Sequence, residues 1–129
     1  MAVKIKQITT KCGVLRFVKF GNNFYKDCEN FCPSLILDEM ATFNPKKNPA
    51  FDVCENVLYM AYRYGKAVGR VAGIINHEAN ARWGVKEVRF GWIDFVDDLE
   101  VSKALLDAVV EWGKSKGMNA LNGPVGFTD

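Results

Sequence analysis

The stretch from residue 86 to residue 123 constrains the fold of this chain more than any other part. KEVRFGWIDFV (86–96) is rich in aromatic and β-branched residues, which favours a strand. The segment from Leu99 to Lys116 repeats apolar residues at helical spacing, and NALNGPVGF (119–127) indicates a further strand, broken by Gly123-Pro124. A helix that joins two strands of one sheet makes a right-handed crossover, so we predict that these two strands are parallel.

The apolar face of the predicted helix is broad, which suits packing on a sheet rather than a narrow coiled-coil seam. Lys114 and Lys116 fall in its last turn and Gly117 stands where a C-cap is expected. The shared face consists of Val101, Leu105, Ala108, Val109 and Trp112.

The remaining segments predict antiparallel strands preceded by two helices. VKIKQIT (3–9) alternates apolar and polar residues as a half-buried strand does. Residues 55–64 and 67–76, joined around Gly65-Lys66, predict a β-hairpin. Two helices, 11–26 and 34–43, lie between the first strand and this hairpin. A polar connection (76–84), with room for one helical turn, follows it. The order predicts an α+β domain.

The composition is that of an ordinary globular chain, with 49% apolar and 25% charged residues in a length of 129. We therefore expect one domain, residues 1–129. No apolar run approaches the roughly 20 residues that span a bilayer, and the N-terminus lacks the apolar core of a secretory signal. We expect a cytoplasmic protein with no membrane partner. Basic residues interleave with acidic ones, so we expect no nucleic-acid partner.

The cysteines and the one histidine do not form a metal-binding pattern. Cys28 and Cys32 are four residues apart, but no second close pair follows, and His77 is distant in sequence. We predict free thiols, also at Cys12 and Cys54, and no metal site. We expect His77 to be exposed at the end of the sheet opposite residues 97–100. The three tryptophans, Trp83, Trp92 and Trp112, are most simply core or interface packing.

The order of these elements resembles the first two-thirds of the GNAT superfamily, the acyl-CoA N-acyltransferase fold. The hairpin YMAYRYGKAVGRVAGIIN resembles the family's second and third strands, and residues 86–117 occupy the place of its acetyl-CoA motif. More narrowly, the chain is similar to a group of bacterial GNAT-like proteins of unassigned role. The segments that carry this likeness are NPKKNPAF, RVAGIIN, FGWIDFVDD, SKALLD and GPVGF. The resemblance implies a mostly antiparallel mixed sheet with helices on both faces.

The same resemblance implies that the pantetheine arm of acetyl-CoA or another acyl-CoA lies between two splayed strands, with its pyrophosphate at the start of the following helix. Working members carry a glycine-rich signature there, because backbone N–H groups must approach the phosphates closely. This chain has Asp97-Asp98-Leu99-Glu100-Val101-Ser102 instead, with no glycine and no basic residue. We therefore expect weak cofactor binding. The candidate cofactor residues are Val96, Asp97, Asp98, Leu99, Ser102, Lys103 and Asn122.

Two interpretations of this acidic turn remain open. In the favoured one, Asp97 is the helix N-cap and Glu100 completes a capping box at the third helical residue. In the other, the turn still receives phosphates while the acids point away and Lys103 partly offsets their charge.

Acyl transfer to an amine needs a base for the amine proton and a donor for the thioester oxygen. The family often takes the donor from a backbone N–H of the strand at 86–96 and the base from a carboxylate on that strand. Asp94 is the candidate base here, since it lies closer to the presumed splay than Glu87; a surface or capping role is the plainer alternative.

The leading functional hypothesis is thus an acyl-CoA N-acyltransferase-like domain with a degenerate cofactor loop. The alternative is a non-catalytic interaction module. The family's sheet continues past the strand near 119–123, so we expect the C-terminal part of the fold to be missing here. We expect the segment 119–127 to present an open edge that pairs in a homodimer or with a C-terminal partner region.

Overall fold

The computed structural model describes residues 3–24, 26, 27, 29 and 35–127, and within them the predicted order of elements is confirmed. The elements are β1 (Lys4–Ile8), α1 (Lys11–Phe24), α2 (Ile36–Thr42), a 3₁₀ turn (Pro49–Asp52), β2 (Cys54–Arg63), β3 (Lys66–Asn76), α3 (His77–Trp83), β4 (Glu87–Phe95), α4 (Leu99–Ser115) and β5 (Ala120–Asn122). The predicted start of the second helix at Ser34, like Cys28 and Cys32, lies outside the described residues.

Helix α3 occupies the predicted polar connection and, with 7 residues, is longer than the one helical turn that the sequence allowed there. Asn76 caps this helix, because its side chain accepts a hydrogen bond of 2.9 Å from the backbone N–H of Ala79. Gly84 closes it with a left-handed φ of 66°. Trp83 is 69% exposed, so of the two expected roles, core or interface packing, the core role is wrong for this tryptophan and the interface role stays a prediction. The two caps satisfy backbone groups at the ends of this helix, which has little apolar face to bury.

The strands form one mixed sheet in the order β1-β2-β3-β4-β5. The first four strands pair antiparallel, and β4 pairs parallel to β5 with Glu87 opposite Ala120 and Arg89 opposite Asn122. The predicted parallel pair is confirmed. The physical reason is the crossover through α4, which returns the chain to the same end of the sheet.

Helices cover both faces of the sheet. Helix α4 lies on one face and buries Val101, Leu105 and Val109 completely. Helices α1 and α2 cover the other face, where the core includes Phe17 and Phe43. Burial of these apolar side chains against the sheet supplies the main stabilisation of both layers.

An ion pair between Arg70 and Asp94 connects α1 to the middle of the sheet. The two residues are opposite each other on β3 and β4, and Arg70 Nε donates to Asp94 Oδ2 over 2.8 Å. Arg70 Nη1 also donates to the carbonyl of Phe17 over 2.9 Å, and the guanidinium lies 5.0 Å from the centroid of the Phe17 ring. Gly21 packs so close that a Cβ there would lie 2.3 Å from Arg70 Nη2. Arg70 therefore holds α1 on the sheet.

We predict that Arg70→Met lowers the free energy of unfolding by about 3 kcal/mol, because Asp94 is left as a buried charge without its guanidinium. The two side chains are 10% and 13% exposed, so water replaces little of the lost interaction. Urea denaturation measures the change. Arg82→Met is the matched control, since Arg82 pairs with Glu78 on the surface of α3 and should cost less than about 0.5 kcal/mol. Equal losses in the two variants would contradict a structural role for the buried pair.

Candidate functional site

Strand β4 contains a β-bulge next to the parallel edge of the sheet. Arg70 pairs with Asp94 and Ala72 pairs with Gly91. Between these two pairs β4 therefore contains one more residue than β3. Trp92 lies in the bulge with a φ of 46°, a left-handed value that is uncommon for a residue other than glycine. A bulge of this kind turns backbone groups out of the regular ladder.

Strand β5 leaves β4 just before the bulge. Its pairing ends at Asn122, after which the backbone N–H of Val125 returns to donate to the carbonyl of Phe90 over 2.9 Å. Gly91 permits this approach, because a Cβ there would lie 2.3 Å from the carbonyl oxygen of Val125. A cavity of about 260 Å³ lies between Gly91, Trp92 and residues 124–126. Beyond Gly91, no strand among the described residues pairs with this side of β4.

The turn after β4 is closed by its own side chains. Asp98 is the N-cap of α4: its Oδ1 accepts from the backbone N–H of Glu100 over 2.9 Å, and its carbonyl accepts from Val101 and Ser102. The predicted N-cap, Asp97, is wrong by one residue, and Asp97 is exposed. Because the helix begins at Leu99, Glu100 is its second residue and cannot complete a capping box.

Arg63 at the end of β2 pairs with this acidic turn. Its Nη1 donates to Asp98 Oδ2, and its Nη2 lies 3.1 Å from Glu100 Oε2. These contacts lower the pKa of Asp98, chiefly through the hydrogen bond from Arg63 and then through the Glu100 N–H. Lys103, which the sequence suggested as the offsetting charge, pairs with Asp107 over 2.6 Å instead.

The predicted cofactor residues fall into two places. Val96, Asp97, Asp98, Leu99, Ser102 and Lys103 lie together at the start of α4. Asn122 lies on β5, opposite Arg89 of β4, and its Nδ2 lies 3.4 Å from Glu87 Oε1. The length of β4 therefore places Asn122 roughly 20 Å from the start of α4. Within the turn, the Val96 N–H donates to Val68 over 3.0 Å and Ser102 Oγ donates to the Leu99 carbonyl over 3.1 Å. The Val96 N–H is therefore already paired with β3, and the Ser102 hydroxyl is paired within α4.

Asp94, the candidate base, has a structural partner. Its Oδ2 accepts from Arg70, and its side chain is 13% exposed on the face that carries α1. The catalytic role stays a prediction, and the geometry gives this carboxylate a function in joining α1 to the sheet.

His77 and the described cysteines lie away from this site. His77 is exposed, as predicted, and its Nε2 contacts Glu55 Oε2 at 2.7 Å. Burial of Glu55 opposes ionisation, but hydrogen bonds from His77 and Lys116 outweigh it and lower its pKa. Cys12 and Cys54 are free thiols, as predicted, and burial raises the pKa of Cys54. None of the described helices is long and apolar enough to span a bilayer.

Two curated relatives match nearly the whole chain, although no model of a known protein family does. Protein YghO of Escherichia coli (strain K12) is 30% identical over 120 residues, which cover 93% of this chain and 30% of YghO. The bacterial ceramide synthase of Caulobacter vibrioides is 28% identical over 118 residues, covering 91% of this chain and 31% of that enzyme. The chain therefore spans less than a third of the length of these relatives.

Solved acetyltransferase structures share the fold. An aminoglycoside acetyltransferase from an uncultured soil metagenomic sample aligns with a TM-score of 0.67 at 12% identity, over 96% of this chain and 78% of that one. A predicted acetyltransferase of Clostridium acetobutylicum, solved with acetyl-CoA, aligns with a TM-score of 0.65 at 12% identity, over 95% and 80%. The chain has a GNAT-like fold, as its sequence indicated.

We predict that Asp98→Ala lowers the thermal midpoint by roughly 3–5 °C, because the Glu100 N–H loses its cap and Arg63 loses a partner. Asp97→Ala is the matched control, since its exposed side chain makes no cap, and it should leave the midpoint within about 1 °C. Differential scanning calorimetry measures both. A larger loss for Asp97→Ala would restore Asp97 as the cap.

The effect of Asp98→Ala should also depend on pH. Since folding lowers the pKa of Asp98 from its ordinary value of 3.8, the stability from this group is present above that value. It is lost as the pH falls through the lowered pKa of the folded protein. The difference in midpoint between the natural protein and Asp98→Ala should therefore be constant near pH 5 to 8 and shrink below pH 3.8. A difference that grows in acid would contradict the ion pair with Arg63.

Proposed function

We propose that this chain is the acyl-donor-binding part of an acyl-CoA N-acyltransferase in which the turn before α4 contributes little to phosphate binding. One observation carries the proposal: β4 has a bulge at Trp92 beside an edge that β5 leaves unpaired. An edge of this kind offers backbone N–H and C=O groups to an extended ligand. The amides of a pantetheine arm are such a ligand.

The bulge supplies the second element that acyl transfer needs. A backbone N–H that leaves the regular ladder near Trp92 is a donor for the thioester oxygen, whose negative charge grows in the transition state. Such a donor acts through a fixed peptide group, so it requires no particular side chain. The absence of a recognisable catalytic side chain pattern in the sequence is therefore compatible with this role.

The relatives support acyl transfer as the chemistry. Making a ceramide joins an acyl group to an amine, and one relative is a bacterial ceramide synthase. The structural neighbours are acetyltransferases, one of them solved with acetyl-CoA. Transfer of an acyl group is the chemistry that these names share, and we infer that reaction class, with an acyl-CoA donor and an amine acceptor, for the longer protein architecture that this chain resembles.

The acidic turn weakens the phosphate part of donor binding in this proposal. The Asp98 carboxylate already accepts the Glu100 N–H, so an incoming phosphate would have to replace it. Asp97, Asp98 and Glu100 also outnumber Arg63, and the remaining negative charge repels a pyrophosphate.

We predict that the natural protein binds acetyl-CoA with a dissociation constant above about 100 μM by isothermal titration calorimetry. The combined variant Asp97→Asn, Asp98→Gly and Glu100→Gln should bind roughly tenfold more tightly, because it removes the repulsion and the competing cap. The matched control neutralises Asp107 and Glu111, which lie farther along the same helix, and should bind as the natural protein does.

Micromolar binding by the natural protein would show that the turn does accept phosphates. No binding of acetyl-CoA by either protein, together with no binding of free pantetheine in a direct titration, would remove the donor-site proposal itself.

A non-catalytic pairing module is the second candidate, favoured by the character of β5. This edge strand has three residues, all exposed, and Leu121 on it is 40% exposed. An apolar edge strand is a template for another strand. The partner would be a second copy of the chain or a C-terminal partner region.

We predict that Leu121→Lys shifts the sedimentation profile towards the monomer at high protein concentration, because a charge on the edge opposes strand pairing. Val85→Lys is the control, since Val85 has the same 40% exposure outside any strand. A natural protein that remains monomeric at all concentrations, and gains no stability from an added C-terminal region, would contradict the pairing role.

A further inference from the structure

A groove between α1 and the β2–β3 hairpin combines a cationic mouth with an apolar floor. Its volume is about 820 Å³, which is within the range of small-molecule sites. Arg16 and Lys19 of α1 and Lys66 of β3 line it, and all three are exposed. Among the residues that the structure describes, no carboxylate lines this groove.

Apart from the buried Met60, the floor consists of apolar and aromatic side chains that are only partly buried. Phe20, Met60 and Tyr62, which belong to the core on the α1 side, line the groove. Val68 and Val96, which pack with the core on the α4 side, complete its lining. Lys6 lies 5.8 Å from the centroid of the Tyr62 ring and adds a further positive charge nearby. Partly buried apolar side chains in a concavity gain free energy when an apolar ligand covers them.

The cationic mouth and the apolar floor together indicate which class of ligand the groove binds. The positive mouth attracts an anionic group, and the apolar floor attracts a hydrocarbon chain, so neither a hydrophilic anion nor a cationic amphiphile complements the whole groove. The apolar residues lie inside a concavity instead of projecting from the surface, which suits a single molecule better than insertion into a bilayer.

We propose that this groove binds a single-chain anionic amphiphile, a long-chain fatty carboxylate, with its chain along the floor and its carboxylate at Arg16, Lys19 and Lys66. The site is lined mainly by residues on the α1 side of the sheet, with Val68 and Val96 from the α4 side. It uses none of the residues assigned to the acyl donor except Val96. The proposal does not depend on the acyltransferase function.

A second groove provides a matched control. It has a volume of about 740 Å³, lies between α1 and α2, and also combines apolar residues with lysines. Lys46 and Lys47 at its rim are exposed, as Lys19 and Lys66 are in the first groove. The same change of charge can therefore be made in either groove.

The test is calorimetric titration of the protein with laurate below the concentration at which laurate forms micelles. We expect one molecule to bind per chain. The double variant Lys19→Glu and Lys66→Glu should weaken binding about tenfold, since two attractive charges become repulsive at a surface site. The double variant Lys46→Glu and Lys47→Glu should bind as the natural protein does. Circular dichroism confirms that both variants fold.

Ligand controls separate the two parts of the groove. Butyrate, which has the charge without the long chain, and dodecyltrimethylammonium, which has the chain with the opposite charge, should each bind at least about tenfold more weakly than laurate. Equal binding of dodecyltrimethylammonium would overturn the proposal. Equal weakening in the two double variants, or binding to anionic phospholipid vesicles in place of monomeric laurate, would overturn it as well.

Discussion

The ion pair between Arg70 and Asp94 determines how the helical layer meets the strand that carries the candidate site. Arg70 contacts α1 through the Phe17 carbonyl, and Asp94 lies two residues beyond Trp92 on β4. The pair restores the β3–β4 register immediately after the bulge. A slip by one residue would turn Asp94 to the opposite face of the sheet and leave Arg70 buried without this partner. The bulge is thus fixed by an interaction that also positions α1.

The start of α4 illustrates a competition between helix capping and anion binding. Both need the same backbone N–H groups, and Asp98 supplies the acceptor from within the chain. Arg63 then removes part of the resulting negative charge, which makes the acidic turn compatible with its position beside the hairpin. A carboxylate that is covalently attached competes with an external phosphate at any concentration of the phosphate donor. The turn therefore gains structural stability where a glycine-rich turn would gain ligand affinity.

Periodicity predicted the strands, the long helix and the parallel pair, because those features depend on local spacing and on the handedness of one crossover. The predicted cap was wrong by one residue, because Asp97 and Asp98 have the same side chain and only the residue at which the helix begins distinguishes them. The full length of helix α3 was not predicted because it has little apolar face, although Asn76 and Gly84 are recognisable cap residues.

The partners of the acidic turn and of Asp94 were beyond local patterns. Arg63 and Asp98 are 35 residues apart, and Arg70 and Asp94 are 24 apart. The position of Arg63 could still have been predicted from the topology. Because β2, β3 and β4 are antiparallel, the β2–β3 turn lies at the end of the sheet where β4 ends. Trp92 gave no such signal, because a left-handed aromatic residue is stabilised by the pairing around it and not by its own preference.

The two parts of donor recognition are physically separable in the proposed function. Pairing with the edge of β4 uses backbone groups at and after the bulge, whereas phosphate binding would use the first N–H groups of α4. Closing the turn with Asp98 and Arg63 leaves Trp92 and its neighbours in place, since Arg70 and Asp94 fix that part of the strand independently. Loss of the glycine signature should therefore lower the affinity for a phosphate-bearing donor while the backbone geometry at the reacting end is preserved.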